Sequence, residues 1–197
     1  MRKSVVLGAC LVAGITLLSA CSDSQQLKLS SIKHDTVYLG ADGAIELADV
    51  EKFDKSYYSQ SELRTFIKDT ISEYEETADA GEVKMEDFSV KNNVAKVLLT
   101  FDSPETYQAF QGDEFQLMDT ANLEENIVLP DRFVSAADGK SVSKDEVLGE
   151  KDMKILIVND ALEIQVEGTI LYYSEGNLIG DNSIQTTEEK AAVILYR

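Results

Sequence analysis

The sequence predicts an α+β fold in which one long amphipathic helix packs on an antiparallel sheet and the C-terminal half is rich in strands. Three observations predict it. Apolar side chains recur at helical spacing after Ser59, two alternating segments surround Asn92-Asn93, and short apolar segments separated by glycines fill the chain after residue 114. Of the 197 residues 44% are hydrophobic, which is enough to bury a core, so we expect the chain to fold.

The helix is the clearest predicted element. Ser59 and Glu62 form a capping box at its start, and Gly81 marks its end, which gives about five turns. We expect the protein's own sheet to cover its apolar face, with a partner protein as the alternative. That face consists of Leu63, Phe66, Ile67, Ile71 and Tyr74.

Two hairpins and a second helix are also predicted. Residues 37–39 and 44–48 flank a turn at 40–43, and strands at 83–90 and 94–101 flank Asn92-Asn93, which tolerate positive φ. In the strand at 94–101 the odd-numbered side chains share one face, which we expect to contact the helix. A short helix follows from the N-cap Ser103 to Gly112, with Pro104 in its first turn.

The remaining strands are predicted at short apolar segments that glycines separate. Leu162, Ile164 and Val166 alternate with polar residues, so that strand has one solvated face. A sandwich, a curled sheet or a short solenoid would each fit this half of the chain. No linker divides the chain, so residues 32–197 are predicted to form a single domain, with a subdivision near residue 125 as the alternative. The predicted strands are 115–118, 127–129, 133–135, 155–158, 162–166, 170–173 and 192–196.

The N-terminus carries the strongest functional signal. Arg2 and Lys3 precede an apolar run over residues 5–20, which is short for a membrane span and fits a secretory signal. The run ends in Leu18-Ser19-Ala20-Cys21, and polar residues follow at once.

These residues resemble the signal of bacterial lipoproteins, in which leucine and two small residues precede a cysteine. The resemblance implies a diacylglyceryl group on the Cys21 sulfur, removal of residues 1–20, and anchoring at the extracytoplasmic face of the bacterial cell membrane. Residues 21–31 would then be the lipidated cysteine and a flexible tether. An uncleaved N-terminal helix, or a plain secretory signal with an incidental cysteine, is the alternative.

Charge and cysteine content exclude several classes of function. The net charge is −18, and clustered Lys and Arg are lacking, which argues against nucleic acid as a partner. After cleavage Cys21 is the single cysteine and already carries lipid, so disulfides and a cysteine nucleophile are excluded. We expect a monomer that contacts the membrane through its lipid and binds an envelope macromolecule.

Catalytic motifs are weak, and we assign no catalytic residue and no cofactor. His34 is the one histidine, too few for a zinc site, and no phosphate-binding loop is present. The Ser30-to-Lys33 and Ser141-to-Lys144 S-x-x-K patterns lack their companion motifs. Whether a metal binds stays open, because calcium needs only oxygen ligands. Two acidic windows, residues 97–131 and residues 155–189, carry carboxylates and contain no Lys or Arg; Lys190 follows the second window.

Three functions follow from these observations. The first is a non-enzymatic binding or accessory lipoprotein of the cell envelope. The second is a small binder of divalent cations or of a solute, which would use the acidic windows or the pairs Tyr57-Tyr58 and Tyr172-Tyr173. If each pair lies on a strand, however, its two rings point to opposite faces, one into the core and one outward, which is the arrangement we expect. The third is a hydrolase.

Overall fold

A computed structural model describes residues 26–77, 81–112, 115–124 and 127–197. Within these ranges the chain forms two β-sheets, three α-helices and a short 3-10 turn at Thr120–Asn122. The helices are α1 (Gln60–Glu75), α2 (Pro104–Gln111) and α3 (Lys144–Gly149). The strands are β1 (Thr36–Leu39), β2 (Ile45–Lys52), β3 (Val83–Lys91), β4 (Val94–Phe101), β5 (Phe115–Asp119), β6 (Arg132–Ser135), β7 (Ser141–Ser143), β8 (Lys154–Val158), β9 (Glu163–Val166), β10 (Ile170–Tyr173), β11 (Asn177–Gly180), β12 (Ser183–Gln185) and β13 (Ala192–Tyr196).

The two sheets pack face to face around one main core. The first sheet has the order β11-β12-β9-β1-β2-β4-β3, and the second has the order β5-β8-β13-β10-β6-β7. Strands β1 and β9 are parallel, with Val37 opposite Ile164, whereas the other pairs are antiparallel. Leu156 and Ile194 of the second sheet belong to the same buried cluster as Val37. Each sheet contains strands from both sides of residue 125.

The predicted fold class is wrong. The structure is organised by two sheets, and the first of them is mixed rather than antiparallel. Helix α1 has 16 residues and buries only Ile71. It lies over β3, at the edge of the first sheet. The second sheet, rather than a long helix, buries much of the inner face of the first sheet.

Elements defined by local signals are confirmed. Strands β1 and β2 form the predicted hairpin, and Asn92 and Asn93 turn between β3 and β4 with φ of 53° and 61°. The Ser103 hydroxyl accepts a hydrogen bond from the Thr106 amide at the start of α2, and Gly112 ends that helix with a φ of 76°.

Other local predictions fail. Helix α1 ends at Glu75 rather than near Gly81. Residues 127–129 form no strand, although Leu129 is buried in a cluster on the outer side of the second sheet. Strands β7, β11 and β12 and helix α3 were not predicted, because they are short and carry few apolar residues. In the described ranges, no helix has both the length and the apolar character needed to span a membrane.

Residues 26–35, which we call the strap, pack on the outer face of the first sheet. Leu27 and Leu29 are buried there against Ala48 and Leu98. Two polar side chains of the first sheet hold the strap. The buried Glu46 carboxylate accepts hydrogen bonds from the Gln26 and Leu27 amides at 2.8 and 2.7 Å. The Lys96 ammonium donates to two strap carbonyls. Residues 26–31, which the sequence assigned to the tether, are therefore packed. The predicted leader at residues 1–20, the predicted lipidation site Cys21 and residues 22–25 of the predicted tether lie outside the described residues.

Candidate binding groove

An apolar groove lies between α1 and the inner face of the first sheet. Its cavity volume is about 210 Å³. One wall comes from α1, the floor from β4, and Phe88 of β3 and Phe110 of α2 complete it. The apolar residues from α1 and β4 that line it are Leu63, Phe66, Ile67, Ala95, Val97 and Leu99; Thr70 and Lys96 of the same elements also line it, although the Lys96 ammonium donates to strap carbonyls on the other face of the sheet. The odd-numbered residues of β4 thus face the helix, as predicted, but the helix leaves part of that face open.

The groove exists because α1 sits loosely on the sheet. The predicted packing face of α1 included Phe66, yet 65% of Phe66 is exposed to solvent, and Leu63 and Ile67 are only half-buried. A helix at a sheet edge has neighbours on one side only, so the outermost apolar residue of its stripe stays uncovered. The helical periodicity correctly placed Phe66 on the apolar face of α1, but it does not show whether another element covers that residue.

Two carboxylates at the edge of the groove give it a negative end. Asp49 and Glu51 of β2 both line it. Burial, together with the nearby charges of Asp35 and Glu51, raises the pKa of Asp49 to about 6. Among the described residues Asp49 forms no ion pair with a lysine or arginine. The guanidinium of Arg64 lies 5.3 Å from the centre of the Phe88 ring instead.

A second hollow, of about 410 Å³, is acidic, but its carboxylates are already occupied. Each of them accepts a hydrogen bond from within the protein; Asp102, for example, accepts from the Thr106 hydroxyl at 2.6 Å and from the Glu82 amide at 3.0 Å. These carboxylates are Asp42, Glu46, Glu82, Glu86, Asp102 and Glu167. No group of three or more His, Cys, Asp or Glu side chains in the described ranges could hold a metal ion. Asp113, Glu114 and Glu125 of the first acidic window lie outside those ranges.

The tyrosine pairs behave differently from each other. Tyr172 and Tyr173 are on a strand and pack into the clusters on opposite sides of the second sheet, as predicted. Tyr57 and Tyr58 precede α1 in a turn, where both are exposed and their rings meet edge to face at 5.0 Å. The opposite-face arrangement predicted for Tyr57-Tyr58 is therefore wrong, because the residues are not on a strand.

The Ser141-to-Lys144 pattern does not bring its two side chains together as a nucleophile and base. The Ser141 hydroxyl accepts a hydrogen bond from Arg132 at 3.2 Å, and the Lys144 ammonium lies 3.7 Å from the Asp131 carboxylate. Both side chains thus have other partners at the junction of β7 and α3.

A more spacious hollow, of about 610 Å³, lies beside α2 and β5. Phe115 and Glu124 on its edge adjoin residues 113–114 and 125–126, which the structure does not describe. The groove beside α1 is therefore the better defined of these two surfaces.

Comparisons with known proteins add no further constraint. No protein-family model matches the chain, and no significant match is found among curated proteins or solved structures.

Proposed function

We propose that this chain is a lipid-anchored lipoprotein of the bacterial envelope that acts as a non-enzymatic binding or accessory protein through the groove beside α1. The observation that carries the anchor is the sequence Leu18-Ser19-Ala20-Cys21 at the end of a basic and apolar leader. The observation that supports binding is an apolar groove bordered by an exposed phenylalanine, because a concave apolar surface with polar groups at its edge is the usual form of a binding site.

The strap sets how far the domain lies from the proposed anchor. Gln26 is held to the sheet by Glu46, so five residue steps separate it from Cys21. At most about 3.6 Å per residue, these steps span about 18 Å. The folded body therefore stays close to the bilayer surface.

The strap and the groove lie on opposite faces of the first sheet. Adjacent residues of β2 demonstrate this, because Ala48 packs under the strap whereas Leu47 belongs to the core cluster that includes Ile71 of α1. A lipid attached before the strap would thus hold the domain by one face of the sheet, while the groove is presented on the other.

Fractionation and mass spectrometry of the chain made in a bacterium test the anchor. Wild-type protein should be recovered with membranes, and its N-terminal peptide should begin at Cys21 with a diacylglyceryl mass. Cys21→Ala should abolish that modification. Cys10→Ala is the matched control, because Cys10 lies in the leader and its loss should leave processing unchanged. A mature chain that retains residues 1–20, or an unmodified Cys21, would refute the anchor.

A further inference from the structure

We propose that the groove binds a segment of a partner protein in which a lysine or arginine lies next to a large apolar side chain. This inference rests on the proposed function and names the chemistry of its partner. Three observations carry it: the apolar lining, the negative end, and the charge of the whole chain.

The apolar part of the segment fits the lining. Leu63, Ile67, Val97 and Leu99 offer aliphatic surface, and Phe66 stands at the rim with 65% of its area in solvent. A volume of about 210 Å³ suits one large side chain or two small ones rather than a folded domain. Covering Phe66 and the lining would remove apolar surface from water, which is the main driving force for such contacts.

The cationic part fits the unpaired carboxylates. Asp49 is partly buried beside Glu51 and Asp35, and no lysine or arginine in the described part of the chain forms an ion pair with it. Arg64 lies over Phe88, and Lys96 donates to the strap on the opposite face of the sheet. A lysine or arginine from outside would relieve the repulsion between these carboxylates, whereas an acidic partner would increase it.

The overall charge favours the same kind of partner. At a net charge of −18 the chain attracts cationic molecules before contact and repels nucleic acid and acidic proteins. A neutral acyl chain would fill the apolar lining but leave Asp49 without a counter-charge. A basic and apolar protein segment satisfies both ends of the groove.

Peptide binding to the full mature chain in phosphatidylcholine nanodiscs tests the inference, with empty nanodiscs as the blank. The probes are two fluorescent peptides of equal length, one alternating lysine and leucine and the other alternating glutamate and leucine. We expect fluorescence anisotropy to show binding of the lysine peptide. Phe66→Ser should weaken that binding about tenfold, since covering the exposed ring at the rim removes a large apolar surface from water. Asp49→Asn should weaken it about threefold.

Two matched controls separate groove binding from general attraction between opposite charges. Ile179→Ser removes another exposed apolar residue, on β11, and Asp181→Asn removes an exposed carboxylate in the turn after β11; this strand lies at the edge of the first sheet opposite to β3 and the groove. Both should leave the affinity unchanged. Equal affinities for wild type and all variants would overturn the inference, because the peptide would then bind by net charge alone.

Other outcomes distinguish this inference from the proposed function. Phe66-dependent binding of the glutamate peptide would overturn the predicted partner charge and leave the groove as a binding site. Dimerisation that Phe66→Ser abolishes would assign the groove to a second copy and overturn the inference. Neither result bears on the lipid at Cys21, which mass spectrometry tests separately.

Discussion

The ionised Asp49 carboxylate reduces the folding stability of the domain at neutral pH. This carboxylate is partly buried near Asp35 and Glu51, and this raises its pKa from 3.8 to about 6. The folded state therefore binds a proton more tightly than the unfolded state. Stability contributed by protonated Asp49 is present below pH 4 and is lost as the pH rises through 6.

Asp49→Asn should stabilise the protein at neutral pH. The neutral amide avoids both the burial penalty and the repulsion, and we expect a gain of about 1 kcal/mol, reduced from the full shift because the side chain is partly solvated. Urea unfolding at pH 8 and at pH 4 measures the difference between variant and wild type, which should be present at pH 8 and nearly absent at pH 4. Asp181→Asn is the control; a larger gain at pH 4 than at pH 8 would contradict the account.

Tyr196 also reduces folding stability, because its polar hydroxyl is buried. It is 2% exposed, and its hydroxyl has no hydrogen-bond partner among the described residues. Burial, with a contribution from the charge of Asp119, raises its pKa. Tyr196→Phe should increase the free energy of unfolding by about 1 kcal/mol, because an unsatisfied buried hydroxyl is removed while the ring is kept. Urea unfolding would show this, and a marked loss of stability would mean that the hydroxyl has a partner.

At the scale of elements, the strap depends on Glu46. Its carboxylate accepts from two strap amides, while Leu27 and Leu29 provide the apolar contact. Glu46→Ala should leave those amides without their acceptor and release residues 26–32 while the sheets stay folded. Hydrogen exchange read by mass spectrometry should show faster exchange in the strap alone. Glu86→Ala, which removes an exposed carboxylate bonded to Thr100, should leave strap exchange unchanged; equal protection in wild type and Glu46→Ala would refute this role.

Elements were predictable where a few neighbouring residues determine them. Ser103, Pro104 and Gly112 define both ends of α2. Asn92-Asn93 favours a hairpin turn through its own backbone preferences, without contacts from distant residues. Strand β3 was located correctly, but its alternation changes at Glu86, the extra residue of a bulge that keeps Phe88 on the inner face. Nothing in the local sequence indicates which strand takes up such a residue.

Features that depend on distant residues were not predictable. The parallel pairing of β1 with β9 joins Val37 to Ile164, and the strap is held by Glu46, some 19 residues away from Leu27. The groove arises from where α1 sits on the sheet, so Phe66 could be identified as apolar but not as exposed. The proposed lipidation site is different in kind, because a processing signal is read as a linear sequence at Cys21.

The whole molecule is held together by strands that cross between its halves. The central position of the first sheet is occupied by β1, whose partners are β2 from the same half and β9 from the other. Val37 and Ile164, paired across β1 and β9, are fully buried in the core that the second sheet shares. Loss of this contact should therefore destabilise the strands on both sides of residue 125.

Val37→Ala should therefore destabilise the molecule as one unit. Removing two methyl groups from a fully buried site should reduce the free energy of unfolding by about 2 kcal/mol, through lost apolar burial and the cavity left behind. Hydrogen exchange in urea, followed for peptides from β4 and from β13, should give the same midpoint in wild type and a common shift in the variant. Val128→Ala, at a site that is 92% exposed, is the control and should shift neither. Separate midpoints for the two peptides in wild type would show that the halves unfold independently, which the shared core argues against.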